Sequence, residues 1–88
     1  MANKKEQLSN DLAKFVEGSQ WAKAVEALQG LIQLEPANSN YYLRMGDYNV
    51  KAGNKAGAIK SYYQAADLFV TAGFSVKGIA TYKMILRV

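Results

Sequence analysis

The side chains that most often carry out catalysis near neutral pH are missing from this 88-residue chain. It contains no histidine and no cysteine, which removes the commonest general base, the thiol nucleophile and the usual nitrogen and sulfur ligands of zinc. A hydroxyl nucleophile needs a neighbouring base, and Ser61, Thr71 and Thr81 have none at a fixed helical spacing. The glycines form no phosphate-binding loop. We therefore expect no enzyme activity, no catalytic residue, no metal site and no bound cofactor.

Charged side chains offer a different chemistry, the attraction of a partner. Residues 1–35 carry four lysines and five carboxylates, whereas residues 36–88 carry seven basic and two acidic side chains, and the formal net charge is +4. A basic half can attract phosphate or acidic groups. The basic residues are spaced singly and never form a block, which is typical of the solvated faces of helices.

Hydrophobic residues recur at the three- and four-residue spacing of amphipathic helices, without the alternation of β-strands. Leu8, Leu12 and Phe15 form one such series, and Gly18 with Ser19 ends it. The predicted helices cover residues 3–17, 21–34, 39–52, 55–72 and 75–87. Because the turns between them are short, we expect one all-α domain of five antiparallel helices within residues 1–88.

An internal repeat relates the first two predicted helices to the next two. The shift that places Ala24 over Ala58 also places Leu34 over Leu68, with similar residues at several positions between. A two-helix unit with this interval has the period of the tetratricopeptide repeat, which is about 34 residues.

Individual residues of both units resemble the tetratricopeptide repeat family. The second unit matches its pattern at Tyr42, Met45, Gly46, Gly53, Ala58 and Tyr62, and the first at Leu8, Leu12, Phe15, Ala24, Leu28 and Pro36. The segment 73–83 looks like bacterial members of the family. The resemblance implies a right-handed α-solenoid of about two and a half repeats. Its parts are repeat one (about 5–38), repeat two (about 39–72) and a terminal helix (about 75–87) that begins or half completes a third repeat.

Two departures from the family pattern affect the second unit. Asn49 stands where the pattern has tyrosine, and Val70 stands where a proline would end the unit. Without that proline the fourth helix can continue to Gly73, and we expect an extended helix that serves both neighbours. The last segment then fits two registers. One matches it to the third predicted helix, and the other matches it to the fourth and places Tyr82 over Tyr62.

The family binds partners along a concave groove lined by the first helix of each repeat. The matching positions here are Glu6, Ser9, Ala13, Val16 and Glu17 in the first unit and Asn40, Leu43, Asp47, Val50 and Lys51 in the second, with Arg44 beside them. Residues three or four apart share one face of a helix, so each set can form a continuous stripe. Arg44 and Lys51 are expected to attract an acidic peptide.

The last predicted helix is apolar on most of its circumference, and such helices are normally covered on most sides. Its candidate partner-binding residues are Val76, Ile79, Tyr82, Ile85 and Leu86. Either a following helix of a longer chain, a partner protein or a second copy of the chain is expected to cover them.

These features favour a protein–protein interaction module, a scaffold or adaptor that binds a peptide or partner protein through the groove, the terminal helix or both. One alternative is homo-oligomerisation through the terminal helix. The other is nucleic-acid binding by the basic half, with Tyr41, Tyr48 and Tyr63 stacking on bases. No apolar run is long enough for a membrane span or resembles a targeting signal, so a cytoplasmic location is expected.

Overall fold

The computed structural model describes residues 3–88, which form five α-helices and no β-strand. The helices are α1 (Lys4–Glu17), α2 (Trp21–Leu34), α3 (Ser39–Lys51), α4 (Lys55–Thr71) and α5 (Ser75–Ile85). Each helix packs mainly against its neighbours in the chain. The prediction of an all-α domain of five helices is confirmed, and α4 continues past Val70 and contacts both α3 and α5 as expected.

The terminal helix is shorter than predicted, because it ends at Ile85 and not at residue 87. The amides of Leu86, Arg87 and Val88 donate to carbonyls three residues back, at 3.1–3.2 Å. Such bonds tighten the last turn of a helix. None of the helices in residues 3–88 is long and apolar enough to cross a bilayer.

Asparagine side chains cap the N-termini of three of the helices. Asn3 accepts a hydrogen bond from the Glu6 amide before α1, Asn38 does so from the Asn40 amide before α3, and Asn54 from the Gly57 amide before α4. These bonds satisfy amides that have no partner within the helix.

Three of the turns between helices share one pattern of backbone hydrogen bonds. After α3, the amides of Ala52, Gly53 and Asn54 donate to the carbonyls of residues 48, 50 and 49, respectively. The same bonds recur at the equivalent positions of the turns after α1 and after α4. The middle residue is left-handed each time, with φ of +55° at Ser19, +79° at Gly53 and +89° at Gly73. The turn into α5 therefore follows the register that matches α5 to α4.

The core lies in two adjoining parts. The first joins α1, α2 and α3 through Leu12, Ala24, Ala27, Leu28, Leu31 and Met45. The second lies along α4 and contains Ala58, Tyr62, Ala65, Ala66 and Phe69. Gly46 provides close approach between α3 and α4, since a Cβ there would overlap the Tyr62 ring. Tyr42 is half-buried and its hydroxyl donates to the Pro36 carbonyl at 3.0 Å.

Candidate partner-binding surfaces

The predicted groove stripe on α1 is mostly open to solvent. Glu6, Ser9, Ala13 and Glu17 are exposed. Val16 is half-buried and packs against the core cluster, so a large part of its side chain stabilises the α1–α2 pair. This stripe therefore offers a partner mainly polar and small side chains.

The stripe on α3 is less uniform. Asn40, Arg44, Val50 and Lys51 are exposed, whereas Leu43 and Asp47 are half-buried. The Asp47 carboxylate accepts a hydrogen bond of 2.6 Å from the Tyr62 hydroxyl. Burial, followed by this bond and the carboxylate charge, raises the pKa of Tyr62. Asp47 thus holds α3 to α4, and only part of the carboxylate is open to a partner.

The two basic groove residues lie over aromatic rings. The Lys51 Nζ is 4.6 Å from the centre of the Trp21 ring, which stacks on Tyr48 at 5.5 Å and 24°. The Arg44 guanidinium is 5.7 Å from the Tyr48 ring, and its Nη2 donates to the Tyr48 hydroxyl at 3.2 Å. Cations over ring faces are held by the negative face of the π system. Arg44, Tyr48, Trp21 and Lys51 thus form one row of contacts. This row was not predicted from the sequence, where only the four-residue spacing of Arg44 and Tyr48 was visible.

The outer face of α5 exposes large apolar side chains. Val76 is 82% exposed and Leu86 is 87% exposed, with Phe74 and Ile79 each at 54%. The side of α5 that packs on α4 instead buries Gly78 and Thr81. A Cβ at Gly78 would overlap Val70, so a small residue is needed where the two helices meet.

An apolar depression of about 350 Å³ lies where α4 and α5 meet on this outer face. Its lining residues, which we call the α5 surface, are Tyr63, Ile79, Tyr82, Lys83, Ile85 and Leu86. Tyr63 and Tyr82 pack edge to face at 5.5 Å, and the Tyr82 hydroxyl donates to Asp67 Oδ1 at 2.5 Å. That bond, with desolvation and the Asp67 charge, raises the pKa of Tyr82. Four of the five predicted terminal-helix residues meet here, and Val76 lies outside the depression.

A second depression connects the groove to the terminal helix. Asn40 and Leu43 of α3 line it together with Phe69 of α4 and Ala80 and Met84 of α5, and its volume is about 300 Å³. Sequence reasoning did not show that these groove positions adjoin α5, because it leaves the placement of α5 open.

A larger cleft of about 480 Å³ lies between α2 and α4, with α3 as its floor. Met45 and Asn49 form part of the floor, and Val25, Gln29 and Gln64 are among the residues of the walls. Sequence reasoning missed this cleft. The only sequence signal was the departure at Asn49, a short amide where the family pattern has a tyrosine ring.

The three tyrosines considered for base stacking do not lie together. Tyr41 and Tyr48 are half-buried and pack against the core cluster, and Tyr63 packs against Tyr82 at the other end of the domain. Within residues 3–88, no three acidic side chains lie close enough to hold a metal ion. The sequence matches no protein-family model, and no curated protein matches it either.

Proposed function

We propose that this domain is a short tetratricopeptide-type array that binds a partner protein. In this proposal α1–α2 and α3–α4 are two repeats, α5 is half of a third, and the helices follow a right-handed solenoid. The sequence match between the two units and the recurring turn after α1, α3 and α4 support it. Arrays of this kind present extended surfaces, because each unit contacts only its neighbours.

The exposed apolar side chains of α5 are the observation that carries the binding function. Covering a valine, isoleucine or leucine side chain contributes roughly 1.5–3 kcal/mol. Clusters of exposed large apolar side chains are candidates for interaction sites. The turn between α4 and α5 has the same hydrogen bonds as the turn between α3 and α4, so α5 packs on α4 as α4 packs on α3. A further helix that packed on α5 in the same way would cover the outer face of α5. We therefore propose an amphipathic helix of a partner protein as the ligand of the α5 surface.

The α3 side of the groove is the second part of the proposed interface. Asn40 and Leu43 border the depression that reaches α5, and Arg44 and Lys51 add positive charge farther along α3. An acidic segment of the partner would face these cations from the groove side of the domain. Electrostatic attraction of this type mainly increases the association rate and falls with salt.

The α5 surface also supports a second candidate function, homo-oligomerisation. A two-fold dimer needs one surface that is complementary to itself. Tyr63 and Tyr82 beside Ile79 and Leu86 offer an apolar, ring-edged patch on which a second α5 can lie.

The experiment compares wild type with the Ile79→Ser/Leu86→Ser double variant, and uses Leu34→Ser at the end of α2 as a matched exposed-apolar control outside the groove and the α5 surface. Sedimentation velocity measures self-association, and immobilised domain measures retention of partner proteins from a bacterial extract. Partner binding through α5 predicts retained proteins that the double variant loses and Leu34→Ser keeps. Self-association predicts a concentration-dependent mass that the double variant loses. A monomer that binds no apolar dye and retains the same proteins in both variants would contradict the proposal.

A further inference from the structure

The three equivalent turns allow one position to be compared across three helix pairs. The carbonyls of Phe15, Asn49 and Phe69 each accept the last amide of their turn, at 2.7–2.8 Å. The first turn of the next helix carries, at equivalent positions, Lys23, Gly57 and Lys77. Lys23 lies over Phe15 and Lys77 lies over Phe69, each with the Nζ 5.9 Å from the ring centre.

The middle pair departs from this arrangement at both positions. It has Asn49 where the others have a phenylalanine ring and Gly57 where the others have a lysine. A Cβ on residue 57 would lie 3.0 Å from Asn49 Oδ1 and 2.7 Å from Asn54 Nδ2, so any larger side chain would crowd this space. The two small residues therefore keep open the cleft between α2 and α4.

Asn49 lies at the floor of this cleft, where its side chain is largely buried but does not use all of its hydrogen-bonding capacity. The residue is only 6% exposed, and its Nδ2 donates to Ser61 Oγ at 3.4 Å. The Ser61 hydroxyl itself donates to the Gly57 carbonyl at 2.8 Å. Among residues 3–88, no group donates a hydrogen bond to Asn49 Oδ1.

The side-chain oxygen of Asn49, Oδ1, is also accessible from the cleft. In the described part of the chain, every side-chain polar atom that is fully sealed from solvent has a hydrogen-bond partner. Since Asn49 Oδ1 has no donor, it is not one of the sealed atoms, and the cleft is the opening beside it. Polar atoms in such confined places usually find a partner, and a ligand N–H that reaches this oxygen would supply one.

We propose that the cleft binds a short extended peptide segment with one acidic side chain, at a site separate from the groove and from the α5 surface. In this site a backbone N–H of the peptide donates to Asn49 Oδ1. An apolar side chain of the peptide packs on Val25 and Ile32, and its acidic group faces Lys60. Within residues 3–88, Lys60 is the one charged residue that lines the cleft.

The amide side chains of the walls match a peptide backbone, because each one both donates and accepts hydrogen bonds. Gln29 and Gln33 provide them on α2, and Gln64 does so on α4. The wall on α4 runs from residue 57 to 64, which is about 12 Å at about 1.5 Å per residue. An extended chain advances about 3.3 Å per residue, so three or four peptide residues fit along it.

The site does not rest on the proposed function. Its α3 residues Met45 and Asn49 lie on the opposite side of that helix from Leu43, Asp47 and Val50, as the step of about 100° per residue requires. A partner on the groove or on α5 therefore leaves the cleft free, and each site can be present without the other.

The test titrates the isotope-labelled domain with terminally blocked tetrapeptides that combine one aspartate with one leucine, and follows its amide signals by NMR. We expect the largest shifts at the side-chain amides of Asn49, Gln29 and Gln64. Asn49→Phe, which copies the equivalent positions Phe15 and Phe69, should weaken binding about tenfold or more, the effect of one lost hydrogen bond and a filled cleft. Lys60→Gln should remove the preference for aspartate over asparagine, while Lys55→Gln at the exposed start of α4 should not.

Shifts confined to the groove or the α5 surface, or no shifts at millimolar peptide, would overturn the proposal. So would equal affinity of wild type and folded Asn49→Phe. If Asn49→Phe does not fold, the shift map of the unmodified domain and the Lys60→Gln comparison decide the question. Both measurements test the cleft between α2 and α4, so failure here leaves the proposed partner binding through α5 intact.

Discussion

The α3–α4 pair and the α4–α5 pair are built with the same side-chain hydrogen bonds. The Tyr62 hydroxyl donates to Asp47 and the Tyr82 hydroxyl to Asp67. In the first pair the Ser61 hydroxyl donates to the carbonyl four residues back, and the corresponding threonine of α5 does the same, both at 2.8 Å. In each pair, a tyrosine of the second helix donates a hydrogen bond to the preceding helix. The residue before that tyrosine donates to the backbone of its own helix.

The two pairs differ in what surrounds these bonds. Tyr62 is only 3% exposed and lies against Gly46, whereas Tyr82 is half-buried beside exposed Tyr63. The position equivalent to Gly46 in the second pair is Ala66. The same tyrosine–aspartate hydrogen bonds thus align both helix pairs, whether the second helix of the pair is covered, as α4 is, or exposed, as α5 is. The outer face of α5 is open to solvent while the pairing residues stay the same.

The largest expected difference between the pairs comes from removing each tyrosine ring. Tyr62→Ala should lower the free energy of unfolding by about 3–5 kcal/mol, because it leaves a cavity at a fully packed site. Tyr82→Ala should cost clearly less, because solvent already reaches that ring. Urea unfolding followed by circular dichroism measures both. Equal losses would mean that the α4–α5 pair is as deeply packed as the α3–α4 pair.

Gly46→Ala makes the first pair resemble the second and tests the close approach directly. The new methyl group would overlap the Tyr62 ring, so we expect a loss of about 1–3 kcal/mol from overpacking. Gly30→Ala is the control, since its Cβ meets only the flexible end of Leu8, and the better helix propensity of alanine offsets that contact. A neutral Gly46→Ala variant would show that the Tyr62 ring can shift to make room for a methyl group such as the one Ala66 carries at the equivalent position.

Most of the fold follows from local signals in the sequence. Hydrophobic spacing, the asparagine caps and Pro36 define the helices to within about two residues, as is usual for helix ends. Gly46 and Tyr62 both match the family pattern, and their contact in the structure brings α3 close to α4. The largest difference is at the end of α5, which stops two residues before the predicted end near residue 87, because no cap or breaker marks it.

The binding surfaces were harder to predict, because they depend on residues brought together by packing. The stack of Trp21 on Tyr48 joins two helices, and it determines where Arg44 and Lys51 lie. The cleft depends on two small residues, Asn49 and Gly57, whose significance appears only when the three turns are superimposed. Apolar composition indicated the exposure of α5, but not that Gly78 and Thr81 would be its packing side.

Alkaline pH should weaken both pairs through their tyrosines. The folded-state pKa of Tyr62 is raised mainly by burial, and that of Tyr82 mainly by its bond to Asp67, above the ordinary value of 10.0. A group that holds its proton more tightly when folded stabilises fully below its unfolded pKa, and this contribution is lost as pH rises through the folded pKa. Unfolding free energy should therefore fall above about pH 10, more gently in Tyr62→Phe/Tyr82→Phe. The same slope in the double variant as in Tyr63→Phe, the control, would contradict this.

The smallest effect should come from an ion pair of the α1–α2 pair, which provides a baseline for the bonds above. Lys5 Nζ lies 2.5 Å from Glu35 Oε2, and both side chains are substantially exposed. Bonds from Lys5 and then Asn38 lower the pKa of Glu35, so its contribution is present above the ordinary 4.5 and is lost as pH falls through the folded-state pKa. Solvent and salt screen such pairs, so Glu35→Gln should shift the urea midpoint only slightly at neutral pH and not at all near about pH 2. A shift as large as that of Tyr62→Ala, or one that persists in acid, would mean that Glu35 stabilises the α1–α2 pair by packing and not by charge.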